Sequence, residues 1–128
     1  MVISEIMTAN PTTIDVGESI IAAVEAMAQL NVRHLPVTEE GSLIGMLSDR
    51  DLAGVREEMS SPHDPPLIAS VMSGDVSSVN QEAEVSEVIE LMVEDKIGAV
   101  PVVSEETGEV VGIVSYLDVM TSHIDLLD

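Results

Sequence analysis

Apolar and polar positions along the chain form one series of segments that is run through twice. Ile3, Ile6 and Met7 open the first run, and Ile68, Val71 and Met72 open the second. Each lead precedes a short extended stretch, residues 11–14 and then 76–79. Three-and-four spacing follows and predicts a helix whose buried face is Ile20, Val24, Met27 and Leu30, then a second faced by Val85, Val88, Ile89 and Met92. Asp15 and Glu18 have the spacing of a capping box before the first helix, and Asn80 can cap the second. Two strands rich in β-branched residues come next, 34–38 and 43–47 around a turn at 39–42, then 99–103 and 110–114 around 104–109. A last helix is expected from Ser48, and again from Ser115. The predicted order is β-α-β-β-α, twice.

The repeat holds residue by residue. Ile3, Met7, Ile20, Met27, Pro36 and Val37 recur as Ile68, Met72, Val85, Met92, Pro101 and Val102, each displaced by 65. A two-residue insertion in the second polar turn makes the displacement 67, which carries Gly41, Gly45, Ser48 and Asp51 onto Gly108, Gly112, Ser115 and Asp118. An internal repeat of this length fixes the architecture ahead of any local reading. The expected organisation is a first repeat over residues 1–59, a proline-rich connector over 60–67 and a second repeat over 68–128. Units of about 60 residues are marginal alone, so the halves are expected to pack together.

Composition narrows the function classes. The 128 residues hold 24 Asp and Glu against four Lys and Arg, a formal net charge of −20. Such a surface repels duplex DNA and anionic membranes, so neither is an expected partner. There is no Phe or Trp and a single Tyr, Tyr116, which removes the stacking platforms of single-strand binders. The excess of acid spread through both halves is expected of a protein from a very salty cytosol, a haloarchaeal one for example, where screening acts over roughly 3 Å at 1 M salt. With no cysteine, thiolate chemistry and disulfides are excluded. No apolar run approaches 18 residues and no basic leader opens the chain, so a soluble, cytoplasmic protein is expected.

The residues Val32-Arg-His-Leu-Pro-Val37 with Gly45-Met-Leu-Ser-Asp-Arg-Asp51, and Ile97-Gly-Ala-Val-Pro-Val102 with Gly112-Ile-Val-Ser-Tyr-Leu-Asp118, resemble the cystathionine-β-synthase (CBS) domain. The chain as a whole resembles a tandem CBS pair, or Bateman module, over roughly residues 1–122. The resemblance implies an α+β fold in which two β-α-β-β-α repeats pack through their sheets about a pseudo-twofold axis, leaving two clefts. It also implies a disc-shaped homodimer that binds adenosine-containing ligands (AMP, ADP, ATP or S-adenosylmethionine) and regulates a separate effector protein. No required cofactor and no reaction are implied.

The chemistry of the two Ser-x-x-Asp corners suits such a ligand. A carboxylate accepts both hydroxyl protons of a ribose diol, and Ser adds a rotatable donor and acceptor at the same helix start. Backbone N–H groups there favour phosphate, and Gly45 and Gly112 permit close backbone approach. The resemblance carries ribose contact onto Ser48 and Asp51, and onto Ser115 and Asp118. It places Arg33 and His34 at phosphate, where Arg50 adds a guanidinium of matching geometry. For adenine it implies Thr13, Ile14, Leu35 and Val37, with Ser78, Val79, Val100 and Val102 opposite. Plainer readings stand beside each of these: the corners are also capping boxes, the valines core strand, and the arginines surface partners of abundant acids. The second half has Gly98 and Ala99 in place of Arg33 and His34, so unequal sites are expected.

No metal or catalytic constellation is present. His34, His63 and His123 are scattered, and the Glu pairs lack the loop pattern of a calcium hand. A regulatory module sensing an adenosine ligand is the expected function; the alternative is a ligand-free dimerisation scaffold within a larger complex.

Overall fold

The computed structural model describes residues 1–59 and 64–127; residues 60–63 of the expected connector lie outside them. After a short 3-10 turn at Ile3–Glu5, the elements are β1 (Thr8–Ala9), β2 (Ile14–Asp15), α1 (Ile20–Leu30), β3 (His34–Glu39), β4 (Ser42–Ser48), α2 (Asp49–Ala53), α3 (Arg56–Met59), α4 (Ile68–Val71), α5 (Val85–Asp95), β5 (Ala99–Val103), β6 (Val110–Ser115) and α6 (Tyr116–Leu127). The fold is mixed α+β with two three-stranded sheets, ordered β2-β3-β4 and β1-β6-β5. It divides into two compact units, Thr12–Val76, and Met1–Pro11 together with Ser77–Asp128.

In the Thr12–Val76 unit, β2 runs parallel to β3 with Ile14 opposite Val37, and β3 and β4 form an antiparallel hairpin. Glu40 (φ 52) and Gly41 (φ 86) turn that hairpin, the positive-φ pair that a tight two-residue connection requires. The strands therefore run one residue further into the turn than the hydrophobic pattern alone indicated. Ile14, Ile20, Ala23, Met27, Leu35, Val37, Leu47, Leu52 and Ile68 make the core. Ile68 comes from the second repeat's lead. The helix after Ser48 breaks into α2 and α3 around Gly54 and Val55, a poor helix former standing where the second copy has Thr121.

In the other unit, β5 and β6 pair antiparallel, with β1 added on the far edge through Thr8 opposite Ile113. Val79 forms a single parallel bridge to Val102 rather than the strand expected at 76–79. Its core is Ile3, Val88, Met92, Val100, Val102 and Val114. Ile3 belongs to the first repeat's lead, so each lead packs with the core of the other repeat. Both β3 and β5 carry a register irregularity at the same place, Val37/Thr38 and Val102/Val103.

Two details of the helices differ from the pattern. The cap of α1 is Ser19, whose Oγ accepts the Ala22 N–H at 3.0 Å. Asp15 is still paired in β2, and its carboxylate accepts the Gly17 N–H at 2.9 Å instead. Likewise Asn80 Oδ1 accepts from Glu82 N–H at 2.8 Å, and α5 starts beyond it from Glu84 without a side-chain cap. On α1 the buried residues are Ile20, Ala23 and Met27, while Leu30 at the helix end is 48% exposed. Both helices end on a left-handed residue, Asn31 (φ 53) and Lys96 (φ 56), equivalent under the repeat.

Candidate functional site: two strand-to-helix corners

Each unit holds one corner where the second strand of its hairpin feeds a helix. In the Thr12–Val76 unit, β4 ends at Ser48 and α2 begins at Asp49. Ser48 Oγ accepts the Asp51 N–H at 3.1 Å, and Asp51 Oδ2 accepts the Ser48 N–H at 2.9 Å. The Asp49 N–H donates to the Arg33 carbonyl at 2.9 Å. The other corner repeats this pattern. Asp118 N–H donates to Ser115 Oγ at 3.3 Å, Ser115 N–H to Asp118 Oδ2 at 2.9 Å, and Tyr116 N–H to the Gly98 carbonyl at 3.1 Å.

These bonds correct one expectation. The first-turn N–H groups are largely committed to the protein itself: Ser48, Asp49 and Asp51 donate internally, as do Ser115, Tyr116 and Asp118. Any anion at the corner is left to side chains and to the N–H groups of Arg50 or Leu117. The capping reading of Ser-x-x-Asp is thus realised in both copies, and it is compatible with a ligand. Fixing one carboxylate oxygen by a backbone N–H holds the group in place, while Oδ1 of Asp51 and of Asp118 has no hydrogen-bond partner among the described residues. Both sites are part-buried.

His34 pairs with Ser48 across the β3–β4 ladder, so it sits at the first corner. It is half-buried, and desolvation lowers its pKa from 6.5, opposed by the nearby Asp49 and Asp51 charges and assisted by Arg33. Arg33 and Arg50 are exposed. Among the described residues the one ion pair is between the Met1 ammonium and Glu84 at 3.2 Å, so neither arginine is held by an acid.

The residues implied for adenine divide by burial. Leu35, Val37, Val100 and Val102 are fully buried in the two cores and Ile14 is nearly so, which leaves only their main chain for a base. Thr13 and Ser78 are exposed and Val79 is half-buried. The glycines serve a contact that the sequence reading did not assign. A β-carbon on Gly45 would meet Met72 Sδ and the Ser73 carbonyl, and one on Gly112 would meet Met7 Sδ. The close approach is made by each unit's own lead methionine. The shared 65- and 67-residue offsets were the available signal, since Met7 and Met72 recur with the same regularity as the glycines. Among the described residues no group of three His, Asp or Glu could hold a metal ion, and no helix is long and apolar enough to cross a membrane.

Comparison with known proteins gives a consistent picture. The CBS domain YhcV protein of Bacillus subtilis is 30% identical over 122 residues, which cover 95% of this chain and 85% of that protein. Hypoxic response protein 1 of Mycobacterium tuberculosis is 31% identical over 118 residues, covering 90% and 80%. The crystal structure of the CBS domain pair of protein MJ0100, in complex with 5′-methylthioadenosine and S-adenosylmethionine, superposes with a TM-score of 0.85 at 27% identity, covering 96% of this chain and 99% of that one. The CBS domain family model matches residues 3–58 and again 68–124, and with two such matches the chain belongs to the CBS domain family as a tandem pair.

Proposed function

We propose that this CBS pair is a regulatory sensor of adenosine-containing ligands, with the ribose held at Ser48 and Asp51, at Ser115 and Asp118, or at both. The observation that carries the reading is the state of the two carboxylates. Each is oriented through Oδ2 by its own backbone and keeps Oδ1 without a partner in a part-buried corner. A ribose diol supplies the two hydroxyl donors that such an acceptor takes. The methylthioadenosine and S-adenosylmethionine carried by the MJ0100 pair support the ligand class. Arg33, His34 and Arg50 extend the first corner toward a phosphate, and main-chain groups beside Thr13, Ile14, Leu35 and Val37, or beside Ser78, Val79, Val100 and Val102, face the base. The ligand is a regulatory signal rather than a cofactor, and no reaction is part of this reading.

Binding would be relayed to a separate effector protein by ordinary linkage, the ligand favouring the state that the effector prefers. A cytoplasmic homodimer is the expected working form, and exposed Ile89, Val93, Leu117 and Met120 on α5 and α6 supply apolar surface for self-association. Calorimetry with AMP, ATP and S-adenosylmethionine in molar KCl tests the reading. Heat that disappears in Asp51→Asn or Asp118→Asn is the expected result, because Asn preserves the cap and removes one of the two anionic acceptors. Absence of heat and of any thermal shift with all three compounds would leave the scaffold function in its place.

A further inference from the structure

We infer that Met7 and Met72 are oxidation sites, at which a peroxide converts the thioether to a sulfoxide and so frees each lead from the strand it packs on. The eight methionines are the only sulfur in a chain without cysteine. Burial sorts them. Met1 and Met120 are exposed, whereas Met27, Met46 and Met92 are buried. Met7 and Met72 are half-buried, within reach of a small oxidant, yet each packs against a core. Met59 is also half-buried, but on the four-residue α3. Met7 and Met72 are equivalent under the repeat, and the ligand reading uses neither.

What sets this pair apart is the seat of the sulfur. Met72 Sδ takes the place of a β-carbon on Gly45, and Met7 Sδ that of one on Gly112, so each thioether lies on strand backbone. The next residue continues the attachment: Ser73 exchanges two backbone bonds with Met46, and Thr8 pairs with Ile113. An oxygen added to the sulfur has little room over the glycine, and it brings a polar group into an apolar contact. At Gly45 the Met46 and Ser73 N–H groups are already bonded to each other's carbonyls, which leaves neither for the new acceptor. In the reaction the sulfur attacks one peroxide oxygen and an S–O bond forms as the O–O bond breaks. The departing hydroxide takes the proton of the new S–OH as water; sulfur loses two electrons and the peroxide gains them. Gly45 and Gly112 each stand three residues before a corner serine, Ser48 or Ser115. Resting on the sensor reading, release of a lead slackens the strand that positions the ribose carboxylate, and oxidation lowers ligand affinity.

The experiment treats the full chain in molar KCl with dilute hydrogen peroxide, removes the oxidant, and follows each methionine by peptide mass spectrometry beside the melting temperature. Met1 and Met120 should gain oxygen first without moving the melt. Oxidation of Met7 and Met72 should then lower it by about 4 °C per site, the shift expected of a modest loss of stability in a chain of this size. Met7→Leu and Met72→Leu keep the side-chain volume, so each should remove one step and the double variant both. Treating the oxidised parent with a methionine sulfoxide reductase and a thiol should restore the melt, which checks the assignment without any substitution. A fall that follows Met1, Met59 or Met120, an undiminished fall in the double variant, or Met7 and Met72 left unoxidised in the folded chain overturns the inference. AMP calorimetry on the treated chains reads the control of binding. Heat lost in the oxidised parent and kept in the treated double variant supports that control, and heat unchanged in both removes it. An untreated chain that binds no AMP defeats the sensor reading alone, because the mass and melting measurements still decide the oxidation sites.

Discussion

The thioether of Met7 occupies the space that a β-carbon on Gly112 would need, and Met72 stands in the same relation to Gly45. Each pair joins a repeat's lead to the second hairpin strand of the unit that carries the opposite repeat. The two glycines are alike in sequence but not in what surrounds them. At Gly112 the obstructing atoms belong to the flexible Met7 side chain, whereas at Gly45 the Ser73 carbonyl lies 2.9 Å from the built position. That carbonyl is pinned, because Met46 N–H donates to it at 3.0 Å and Ser73 N–H donates back to Met46 at 2.9 Å.

Gly45→Ala is therefore expected to cost more than Gly112→Ala, within the range of about 1–3 kcal/mol typical of overpacking. Adding Met7→Ala should recover part of the Gly112→Ala loss, while Met72→Ala should recover less at Gly45. Urea denaturation of the single and double variants measures this. Equal losses and equal rescue would show that the Ser73 carbonyl yields.

The capping serines set a second prediction. Ser48→Ala and Ser115→Ala each remove the acceptor for an N–H in the first helical turn, a loss of about 1 kcal/mol. Asp51→Asn and Asp118→Asn keep an oxygen acceptor for the Ser N–H and should unfold within a few tenths of a kcal/mol of the parent. Their effect on adenosine ligands is then readable apart from stability.

Acid should weaken the fold through His34. Burial lowers its pKa below 6.5 in the folded state, so the unfolded chain binds its proton first. The resulting contribution is fully present above pH 6.5 and is lost as pH falls from that value through the lowered folded pKa. Urea midpoints measured from pH 7.5 downward should fall more steeply for the parent than for His34→Gln. Parallel curves would mean that the ring is solvated in both protonation states.

Salt should have the opposite effect. With 24 acids against four Lys and Arg, and the Met1 ammonium–Glu84 contact as the ion pair seen among the described residues, most of the self-repulsion is left to the solvent's cations. The melting temperature is expected to rise between 0.1 and 2 M KCl. A flat response would remove the case for adaptation to high salt.

Lys96 occupies the left-handed position that Asn31 fills in the first repeat. That conformation costs a β-carbon-bearing residue about 1–2 kcal/mol, and Asn tolerates it better. Lys96→Asn should accordingly raise stability by a few tenths of a kcal/mol or more, and Asn31→Lys should lower it, as thermal melts would report.

Much of the fold was legible because apolar spacing and the repeat agree. The long helices α1 and α5, both hairpins and the start of each corner helix lie where that pattern puts them, within a residue or two at the strand ends, whereas the break between α2 and α3 and the short α4 were not indicated. The caps were less legible. Asp15 and Asn80 have the right chemistry, but strand pairing and a local turn engage them first, and α1 begins after Ser19 instead. Of the candidate site, Ser48, Asp51, Ser115 and Asp118 were found as corners because their spacing has a local mechanism. The locking of Asp49 N–H to Arg33 and of Tyr116 N–H to Gly98 was not, since it joins residues brought together only by the hairpin.

The sequence alone determined that there are two copies of one α+β pattern, that each copy ends in a Ser-x-x-Asp helix start, and that two of the four cations, Arg33 and Arg50, fall in or beside the first copy's motifs. Those are properties of short-range spacing and composition, which need no knowledge of what packs on what. Only the tertiary structure decided that each lead joins the other repeat's core, that the strand glycines make room for a methionine, and which backbone N–H groups remain for a ligand. These depend on contacts between residues far apart in the chain, and the register of a strand or the seat of a side chain is settled by burial on both partners at once.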